Sequence, residues 1–297
     1  MIVENEKQLT DAVIAVMRCT PNPRLREIMV ALVRHLHDFV REVKLTEDEF
    51  REATAILNEI GKLSSDSHNE MVLMAGALGV SSLVCLVNNG GNGQTETSQN
   101  LLGPFWRMNS PKLENGASIL RSPTEGAPLF IKGHIKDKAG RPVEGARVDV
   151  WQASAQGLYE NQDPAQADMN LRGQFTTTEK GDFWLRSIRP AGYPIPVDGV
   201  VGRLLQAQGR HPFRPAHIHV LAFKPGYKTL ISQVYADDDA NLETDSQFGV
   251  TRALIGRFER HDRPHPDDPA IERPWFSLEY TFVMEPGEAT LPRPPIK

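Results

Sequence analysis

In Arg214-Pro215-Ala216-His217-Ile218-His219-Val220, two histidines stand at positions i and i+2 within a run of residues that favour β-strands. Alternate side chains of a strand point to the same face. We therefore predict a strand on which His217 and His219 project into one pocket while Ile218 points the other way. A rigid strand can present two imidazole nitrogens to one metal ion in this manner. The spacing also arises by chance, and with histidines alone zinc is the metal to expect.

Other runs of strand-forming residues accompany this one from residue 128 onwards, separated by turn signals and not by long helices. The full set is residues 128–136, 146–153, 174–178, 183–188, 217–223, 229–235 and 275–283. The turn signal at 179–182 predicts a hairpin between the two runs beside it. Residues 241–274 are polar and contain prolines, so we expect loop with short helical turns there. Short strands in this arrangement predict an antiparallel β-sandwich.

Before residue 90 the apolar residues recur instead at helical spacing. One face of a long helix carries Leu25, Ile28, Met29, Leu32, Leu36, Phe39, Val40 and Val43. Thr46 and Glu49 fit a capping box that opens a second helix, and Ser67 and Glu70 repeat that signature before a third. The glycine-rich residues 88–93 end the helical pattern. The fold class is therefore mainly β with an N-terminal α segment.

The wide apolar stripe on these helices has to be buried against another surface. Either the helices cover their own sandwich, or they pack against a second subunit. The width of the stripe and the lack of a fourth long helix favour a homodimer, although the first arrangement stays open.

Length, charge and cysteine use narrow the class of protein. At 297 residues the chain can form one large domain or two of ordinary size. Its net charge of -5 argues against nucleic acid as the main partner. Cys19 and Cys85 form no pattern typical of a disulfide framework or a thiolate metal site. The first residues do not resemble a signal peptide, and no apolar run reaches the about 20 residues that a membrane span requires, so we expect a cytoplasmic protein.

Two of the five tyrosines lie in loop-like segments. If they are metal ligands, the expected metal is no longer the zinc that histidines alone suggest. Tyr159 follows a predicted strand, and Tyr193 lies between a glycine and a proline. A phenol has an unperturbed pKa of about 10, so a tyrosine ligand needs a highly charged metal to remove its proton at neutral pH. Fe(III) meets this requirement. The alternative is that each tyrosine is an ordinary half-buried residue with a bonded hydroxyl.

Four longer stretches carry a resemblance to a known family. They are Leu101-Leu-Gly-Pro-Phe-Trp-Arg, Val148-Asp-Val-Trp-Gln-Ala, Gly192-Tyr-Pro-Ile-Pro-Val-Asp-Gly and Gly209-Arg-His-Pro-Phe-Arg-Pro-Ala-His-Ile-His. In the order and spacing of these stretches the sequence resembles the intradiol ring-cleaving dioxygenases. Within that family it is similar to the catechol 1,2-dioxygenases and, more closely, to the hydroxyquinol 1,2-dioxygenases. The resemblance covers nearly the whole chain.

The resemblance implies a ferric non-haem enzyme with one Fe(III) per subunit and no organic cofactor. The metal ligands that it implies are Tyr159, Tyr193, His217 and His219. It further implies that an aromatic diol and O2 are the substrates. The ring would open between the two hydroxyl-bearing carbons, giving a maleylacetate or cis,cis-muconate type product. On the same basis residues 1–100 would form a helical dimerisation and linker domain, and residues 101–297 the catalytic β-sandwich domain. In the family the helical domain commonly encloses a phospholipid.

Catalytic roles also follow from the family's positions. Tyr193 would be the axial tyrosine, which leaves the metal and accepts a substrate proton when the diol binds. Arg214 would stabilise negative charge on the ring, and Gln233 would also face the substrate. The alternatives are a surface ion pair for Arg214 and a strand-to-strand hydrogen bond for Gln233. His211 matches no ligand position, and we expect it to be structural.

This sequence departs from the family's pattern in the residues expected to line the substrate pocket. Besides Arg214, the implied lining residues are Leu73, Gly76, Leu101, Leu102, Gly103, Pro104, Phe105, Ile195, Pro196 and Gln247. Hydroxyquinol enzymes tend to carry an acidic residue where Gly76 falls and a small apolar residue where Gln247 falls. We expect the glycine to enlarge the pocket and the glutamine to add a polar group on another wall. Hydroxyquinol is the expected substrate, just ahead of a catechol that carries an alkyl, halogen or carboxyl group.

Two other classes of protein compete with this interpretation. A zinc hydrolase would use His217 and His219 but needs further metal ligands and a water-activating carboxylate. His261 and His265 lie in a polar stretch that contains no suitable cluster of such residues. A non-catalytic sandwich module is suggested by the strand-turn-strand pattern of residues 133–146. That interpretation leaves the two loop tyrosines unexplained.

Overall fold

The computed structural model describes residues 2–65, 68–88, 97–271 and 274–294. Two predicted features, the capping residue Ser67 and most of the glycine-rich break at 88–93, lie outside these ranges. The chain divides into two compact units, Met1–Glu59 and Ile60–Lys297. All strands of the described residues belong to the second unit.

Within the described residues five helices precede the strands, where the sequence predicted three or so. They are α1 (Glu6–Arg18), α2 (Pro23–Val43), α3 (Glu47–Leu63), α4 (Glu70–Ala77) and α5 (Val80–Asn88). The predicted long helix is confirmed, since α2 spans the whole apolar stripe. The capping box is confirmed too, because Thr46 N–H donates to Glu49 Oε2 at 2.9 Å at the start of α3.

The third predicted helix is two short helices, α4 and α5. The chain breaks between them at Gly79, whose φ of 71° is a left-handed value that favours glycine. Asn69 caps α4 by accepting from Val72 N–H at 3.0 Å. No single helix of the described ranges has the length and apolar character needed to cross a bilayer. The pair α4 and α5, bent by 75°, would qualify together by length and composition alone.

Two sheets and a short ribbon make up the β part of the described residues. The strands are β1 (Pro128–Asp137), β2 (Arg147–Gln152), β3 (Arg172–Thr176), β4 (Asp182–Ile188), β5 (Tyr193–Pro194), β6 (Phe213–Arg214), β7 (His217–Phe223), β8 (Leu230–Ala236), β9 (Ile255–Gly256), β10 (Glu259–His261) and β11 (Trp275–Met284), with α6 (Val200–Ala207) between β5 and β6. One sheet has the order β10-β11-β1-β4, the other has the order β3-β2-β7-β8-β9, and β5 pairs with β6. The predicted sandwich preceded by a helical segment is confirmed.

Three details of the predicted sandwich are wrong. The turn at 179–182 does not close a hairpin, because β3 pairs with β2 and β4 pairs with β1 in the other sheet. Two pairs, β1 with β11 and β8 with β9, are parallel. The stretch 241–274 contains the expected short helical turn, at Arg252–Leu254, but also the short strands β9 and β10. A turn signal shows where the chain reverses, but tertiary packing decides which sheet each strand joins.

Apolar side chains from both sheets fill the space between them. Leu129 and Ile131 of β1 and Ile218 and Val220 of β7 belong to this core, and none is more than 7% exposed. Successive residues of a strand point to opposite faces. The odd-numbered residues of β7, His217 and His219 among them, therefore lie on the outer face of the five-stranded sheet, and Ile218 points away from them as predicted.

Candidate metal centre

The register of the five-stranded sheet gives the two histidines specific neighbours. His219 stands between Trp151 of β2 and Gln233 of β8, and His217 stands opposite Tyr235 of β8. Residues directly opposite each other in a sheet share a face. The Trp151 ring stacks on His219 with centroids 4.6 Å apart, and the rings of the two histidines are 4.8 Å apart. Both imidazoles project to one place, as predicted.

Two separate segments bring the loop tyrosines to this place. Tyr193 lies in the β5–β6 ribbon, where it pairs with Arg214. Tyr159 ends the loop after β2, and its N–H donates to Gln162 Oε1 at 3.0 Å. Gly157 allows the two segments to approach, since its φ is 79° and a Cβ there would lie 2.9 Å from Tyr193 Cβ.

Four side-chain atoms from these elements face one another, and we call them the donor cluster: Tyr159 Oη, Tyr193 Oη, His217 Nε2 and His219 Nε2. The Tyr159 Oη atom lies 3.4 Å from Tyr193 Oη and 3.1 Å from His219 Nε2. Tyr193 Oη lies 3.5 Å from His217 Nε2. All four side chains are buried.

The His217 imidazole presents a lone pair to the donor cluster, and both imidazoles of the cluster are uncharged. His217 Nδ1 lies 2.7 Å from the carbonyl oxygen of Pro215 and donates to it, which leaves Nε2 as the acceptor. Burial, reinforced by the positive charge of Arg214, lowers the pKa of His217 to about 3. Burial also lowers the pKa of His219 well below its usual value, with His217 and Arg214 adding to the effect. At neutral pH the two rings are therefore uncharged and able to bind a cation.

The phenol of Tyr159 is held in its protonated form by its surroundings. Burial raises its pKa well above the usual value, and the neighbouring Tyr193 adds to this, although the positive charges of Arg214 and Arg172 act in the opposite direction. A phenol in this position ionises at neutral pH only if a cation of high charge lies beside its oxygen. The donor set therefore discriminates between cations by charge.

The spacing of the donor cluster fits a metal ion. A zinc ion, for example, makes bonds of about 2.0–2.2 Å to nitrogen and oxygen, which place tetrahedral donors about 3.3–3.6 Å apart. The measured separations of 3.1, 3.4 and 3.5 Å lie close to this range. Two phenol oxygens with two neutral imidazoles fit Fe(III) better than zinc, because both oxygens need to lose a proton. In the described ranges no three side chains of His, Cys, Asp or Glu come together as a metal site, so a zinc hydrolase finds no third ligand there.

Arg214 is buried beside the donor cluster within a network of polar side chains. Its Nε donates to Asp245 Oδ1 at 3.2 Å. Its Nη2 donates to Gln233 Oε1 at 3.0 Å and to Tyr235 Oη at 2.9 Å. Its Nη1 lies 3.5 Å from His217 Nε2. We call Arg214, Gln233, Tyr235 and Asp245 the arginine network; Arg214 is 3% exposed and so makes no surface ion pair.

The charges of this network balance. Burial raises the pKa of Asp245, but the positive charge and hydrogen bonds of Arg214 outweigh burial, so that the pKa lies below its usual value. At neutral pH a buried guanidinium therefore faces a buried carboxylate. Gln233 also donates from Nε2 to the carbonyl oxygen of Leu101 at 2.7 Å, so its side chain links Arg214 of β6 to the loop segment 101–105.

Tyr235 and Asp245 belong to this network but were not singled out from the sequence. Tyr235 had a usable signal, because it stands two residues after Gln233 on a predicted strand and so shares its face. Asp245 had none. It lies 31 residues beyond Arg214 in an irregular stretch, and only the folded chain brings the two together.

The segment 101–105, predicted to line the substrate pocket, lies against the donor cluster. The Phe105 ring stacks on Tyr159 with centroids 4.3 Å apart. Leu102 packs against the apolar cluster that contains Tyr159 and Tyr193. Gly103 has a φ of 71°, and a Cβ there would lie 3.2 Å from His219 Cε1. Leu101 contributes the carbonyl that Gln233 binds, and Pro104 is half-buried in the same segment.

The predicted effect of Gly76 on the pocket is wrong. A Cβ on Gly76 would overlap the Oε1 atom of Gln247, so the glutamine side chain occupies the space that the glycine leaves. Glycine therefore does not enlarge the pocket, and the two residues share one wall. No sequence pattern indicates this, because the residues are 171 positions apart (247 minus 76).

The remaining predicted site residues lie around these groups. Leu73 of α4 and Ile195 share one buried apolar cluster, and Pro196 is half-buried. His211 Nδ1 accepts from Phe213 N–H at 3.1 Å, which fits the structural role expected for it. A cavity of about 720 Å³ lies on the four-stranded sheet, lined by Phe130 and Trp184 among others, and contains none of the four donor atoms.

Known proteins and family models match most of the chain. A family model described as "Dioxygenase" matches residues 101–285, and one described as "Catechol dioxygenase N terminus" matches residues 22–95. Hydroxyquinol 1,2-dioxygenase of a Rhizobium species is 40% identical over 283 residues, covering 94% of this chain and 95% of that protein. The 6-chlorohydroxyquinol 1,2-dioxygenase of Cupriavidus pinatubonensis is 39% identical over 283 residues, covering 95% and 98%. The solved structure of hydroxyquinol 1,2-dioxygenase from Pseudomonas putida is 38% identical, with a TM-score of 0.85 and coverage of 95% and 99%.

Proposed function

The chain belongs to the intradiol ring-cleavage dioxygenases, and from this premise we propose that hydroxyquinol is the diol that it cleaves fastest. It is an oxidoreductase that opens an aromatic 1,2-diol between the two hydroxyl-bearing carbons with insertion of both atoms of O2. The product from hydroxyquinol would be of the maleylacetate type. Enzymes of this family use non-haem iron.

We assign one Fe(III) per subunit to the donor cluster. The convergence of two tyrosine oxygens and two neutral histidine nitrogens within 3.1–3.5 Å of one another is the observation that supports this assignment most. The chemistry that such an ion supplies is polarisation of the diol, which makes the ring reactive towards O2. The remaining steps depend on the protein's own side chains.

Tyr193 and Arg214 are the side chains to which we assign catalytic roles. Tyr193 Oη lies 3.4 Å from Tyr159 Oη and 3.5 Å from His217 Nε2, and would accept a proton from one substrate hydroxyl. Arg214 Nη1 points towards His217 and is free of other acceptors in the described residues, so it would face negative charge that develops on the ring. Gln233 would orient Arg214 through Oε1 and the 101–105 segment through Nε2.

The surrounding apolar side chains would keep water away from the reacting ring. Trp106, Trp151 and Leu221 are buried next to the two tyrosines, with Phe105 packed against them. A dry pocket strengthens the electrostatic effect of Arg214.

The preference for hydroxyquinol is supported by Gln247. Its amide stands beside Gly76 in the wall that the resemblance assigns to the ring substituent, and it is 6% exposed. A polar amide suits a third hydroxyl better than an alkyl group or a halogen, because it can form a hydrogen bond with the hydroxyl. A substituted catechol is the second candidate, since this chain lacks the acidic residue that hydroxyquinol enzymes tend to carry at position 76.

Oxygen uptake by the iron-loaded protein tests both the reaction and the substrate. The panel should contain hydroxyquinol, catechol, 4-methylcatechol and 4-chlorocatechol, with product absorbance followed in parallel. We expect the highest kcat/KM for hydroxyquinol; a higher value for a methyl- or chlorocatechol would replace it as the preferred substrate. The iron-loaded protein should be red-brown from ferric tyrosinate absorption, whereas zinc-loaded protein should be colourless. A colourless iron-loaded protein would contradict the ligand assignment.

We also propose that residues 1–100 form a dimerisation and linker domain, and residues 101–297 the catalytic domain. The apolar face of α2 is about half exposed in the single chain, with Leu36 and Phe39 each at 52%. A second subunit, with a phospholipid enclosed between the helices, would cover this face. Light scattering should give the mass of a dimer, and mass spectrometry of an organic extract should detect the lipid. A cytoplasmic location stays a prediction that cell fractionation would test.

A further inference from the structure

Asp245 is a buried carboxylate to which the proposed chemistry gives no task. It is 4% exposed and begins the loop 245–249. Its Oδ1 accepts from Arg214 Nε and from Gln247 N–H, each at 3.2 Å. Its Oδ2 accepts from Gly249 N–H at 2.8 Å and from Arg214 Nη2 at 3.4 Å. Each oxygen thus joins the arginine side chain to the backbone of the loop.

The nitrogens of Arg214 are divided unequally among these partners. Nε and Nη2 form one edge of the guanidinium, and Asp245 binds both of them. Nη2 is further shared with Gln233 and Tyr235, whereas the contact recorded for Nη1 is with His217. Because the guanidinium is planar and rigid, fixing one edge fixes the direction of the remaining nitrogen.

We propose that Asp245 is a positioning residue that grips the Nε–Nη2 edge of Arg214 and thereby presents Nη1 to the substrate. The carboxylate also balances the buried positive charge, so that the guanidinium does not turn towards the tyrosine oxygens of the donor cluster. This inference rests on the role proposed above for Arg214. It goes further in assigning a share in the orientation of that side chain, beside that of Gln233, to a residue outside the predicted substrate pocket.

The second contact of Asp245 extends its effect to the pocket wall. Its Oδ1 accepts from the backbone of Gln247, whose side chain fills the space beside Gly76. Asparagine at position 245 would keep an Oδ1 acceptor for Gln247 and Arg214 Nε. It would lose the Oδ2 acceptor and the negative charge. Asp245→Asn therefore disturbs the grip on Arg214 more than it disturbs the wall.

The test compares Asp245→Asn with a matched variant of Asp149 in strand β2. Asp149 is also buried, and its carboxylate binds Nε and Nη2 of Arg147 at 3.0 and 2.7 Å. For hydroxyquinol, Asp245→Asn should lower kcat by about 10–100-fold, the usual cost of losing a partner that orients a functional group. KM, iron content and the visible absorption band should stay close to those of the unmodified protein. Asp149→Asn should leave kcat unchanged.

Rescue by added guanidinium gives a readout that does not depend on turnover alone. Arg214→Ala leaves Asp245 facing an empty space that a guanidinium ion fits. Millimolar guanidinium should raise the thermal midpoint of iron-free Arg214→Ala, and raise kcat of the iron-loaded form several-fold. Both effects should vanish in Arg214→Ala/Asp245→Asn. Methylammonium, which carries charge without a planar edge, should rescue poorly at the same ionic strength.

The outcomes separate this inference from the proposed function. Unchanged kcat in Arg214→Ala would overturn the role of Arg214 and the present inference with it. A slow Arg214→Ala beside an Asp245→Asn of normal kcat would overturn this inference alone. If Asp245→Asn does not fold, the rescue of Arg214→Ala tests the inference. Rescue by guanidinium alone supports binding of the Nε–Nη2 edge by Asp245. Equal rescue by guanidinium and methylammonium contradicts it.

Discussion

The donor cluster and the arginine network lie side by side on the outer face of the five-stranded sheet but differ in charge and in hydrogen bonding. The donor cluster contains two phenol oxygens and two imidazole nitrogens that face one another, and His219 Nδ1 has no hydrogen-bond partner in the described residues. The arginine network contains a positive and a negative group bound to each other and to two polar side chains. The first arrangement brings four possible metal ligands together, whereas in the second the positive and negative charges are paired. We infer that one region binds and the other orients.

The largest expected effect is a loss of iron, and only a change in the donor cluster should cause it. Tyr159→Phe removes an oxygen from the donor cluster and nothing from the arginine network, so iron should be lost and the colour with it. The affinity for iron should fall by more than about 10–100-fold, which is the usual effect of removing a residue that only hydrogen-bonds to a metal ligand. Iron analysis and the visible spectrum provide the measurement.

A tyrosine on the other sheet provides the control for this prediction. Tyr280 Oη donates to the carbonyl oxygen of Ala253 at 2.5 Å, away from the donor cluster. Tyr280→Phe should keep both iron and colour. A fully coloured Tyr159→Phe would erase the distinction between the two regions.

The next effect concerns rate without loss of metal. Arg214→Lys keeps a positive charge but has no planar edge for Asp245 to bind, so kcat should fall by about 10²-fold. Iron content should not change, because the donor cluster is intact. Steady-state kinetics with iron analysis of the same sample checks both points, and loss of iron in this variant would show that the two regions are not separable.

A smaller effect is expected where the loop of the arginine network meets α4. Gly76→Ala should displace the Gln247 amide and lower kcat/KM for hydroxyquinol by about tenfold relative to 4-methylcatechol. In a Gln247→Ala background the same substitution should cost little, because the space is then empty. Four kcat/KM values form the double-mutant cycle. Strictly additive effects would mean that the two residues do not share a wall.

The smallest effect is one of stability. Gly103→Ala places a Cβ at a φ of 71° and 3.2 Å from His219 Cε1, so the free energy of unfolding should fall by about 1–2 kcal/mol. Gly140→Ala is the matched control, since its φ is 76° and no atom lies within 4 Å of the added Cβ. Urea unfolding of both iron-free variants isolates the contact with His219. Equal losses would show that backbone strain alone acts and that Gly103 has no special relation to the donor cluster.

The sequence predicted the elements whose signal is local. The long helix α2, the capping box before α3 and the strand β7 lie where periodicity and capping residues indicated. The alternation of β7 also predicted that His217 and His219 share a face opposite to Ile218. Such signals depend on neighbours a few residues apart, because the periodicity of a helix or a strand fixes which side chains share a face.

Contacts between distant residues were decided by the folded chain alone. The turn at 179–182 looked like a hairpin, yet the strands on either side join different sheets. Asp245 reaches Arg214, and Gln247 fills the space beside Gly76, without any sequence pattern that links them. Local propensity determines whether a segment forms a helix, a strand or a turn, and which side chains share a face. Which segments meet depends on how all apolar faces are buried at once, and that is a property of the whole molecule.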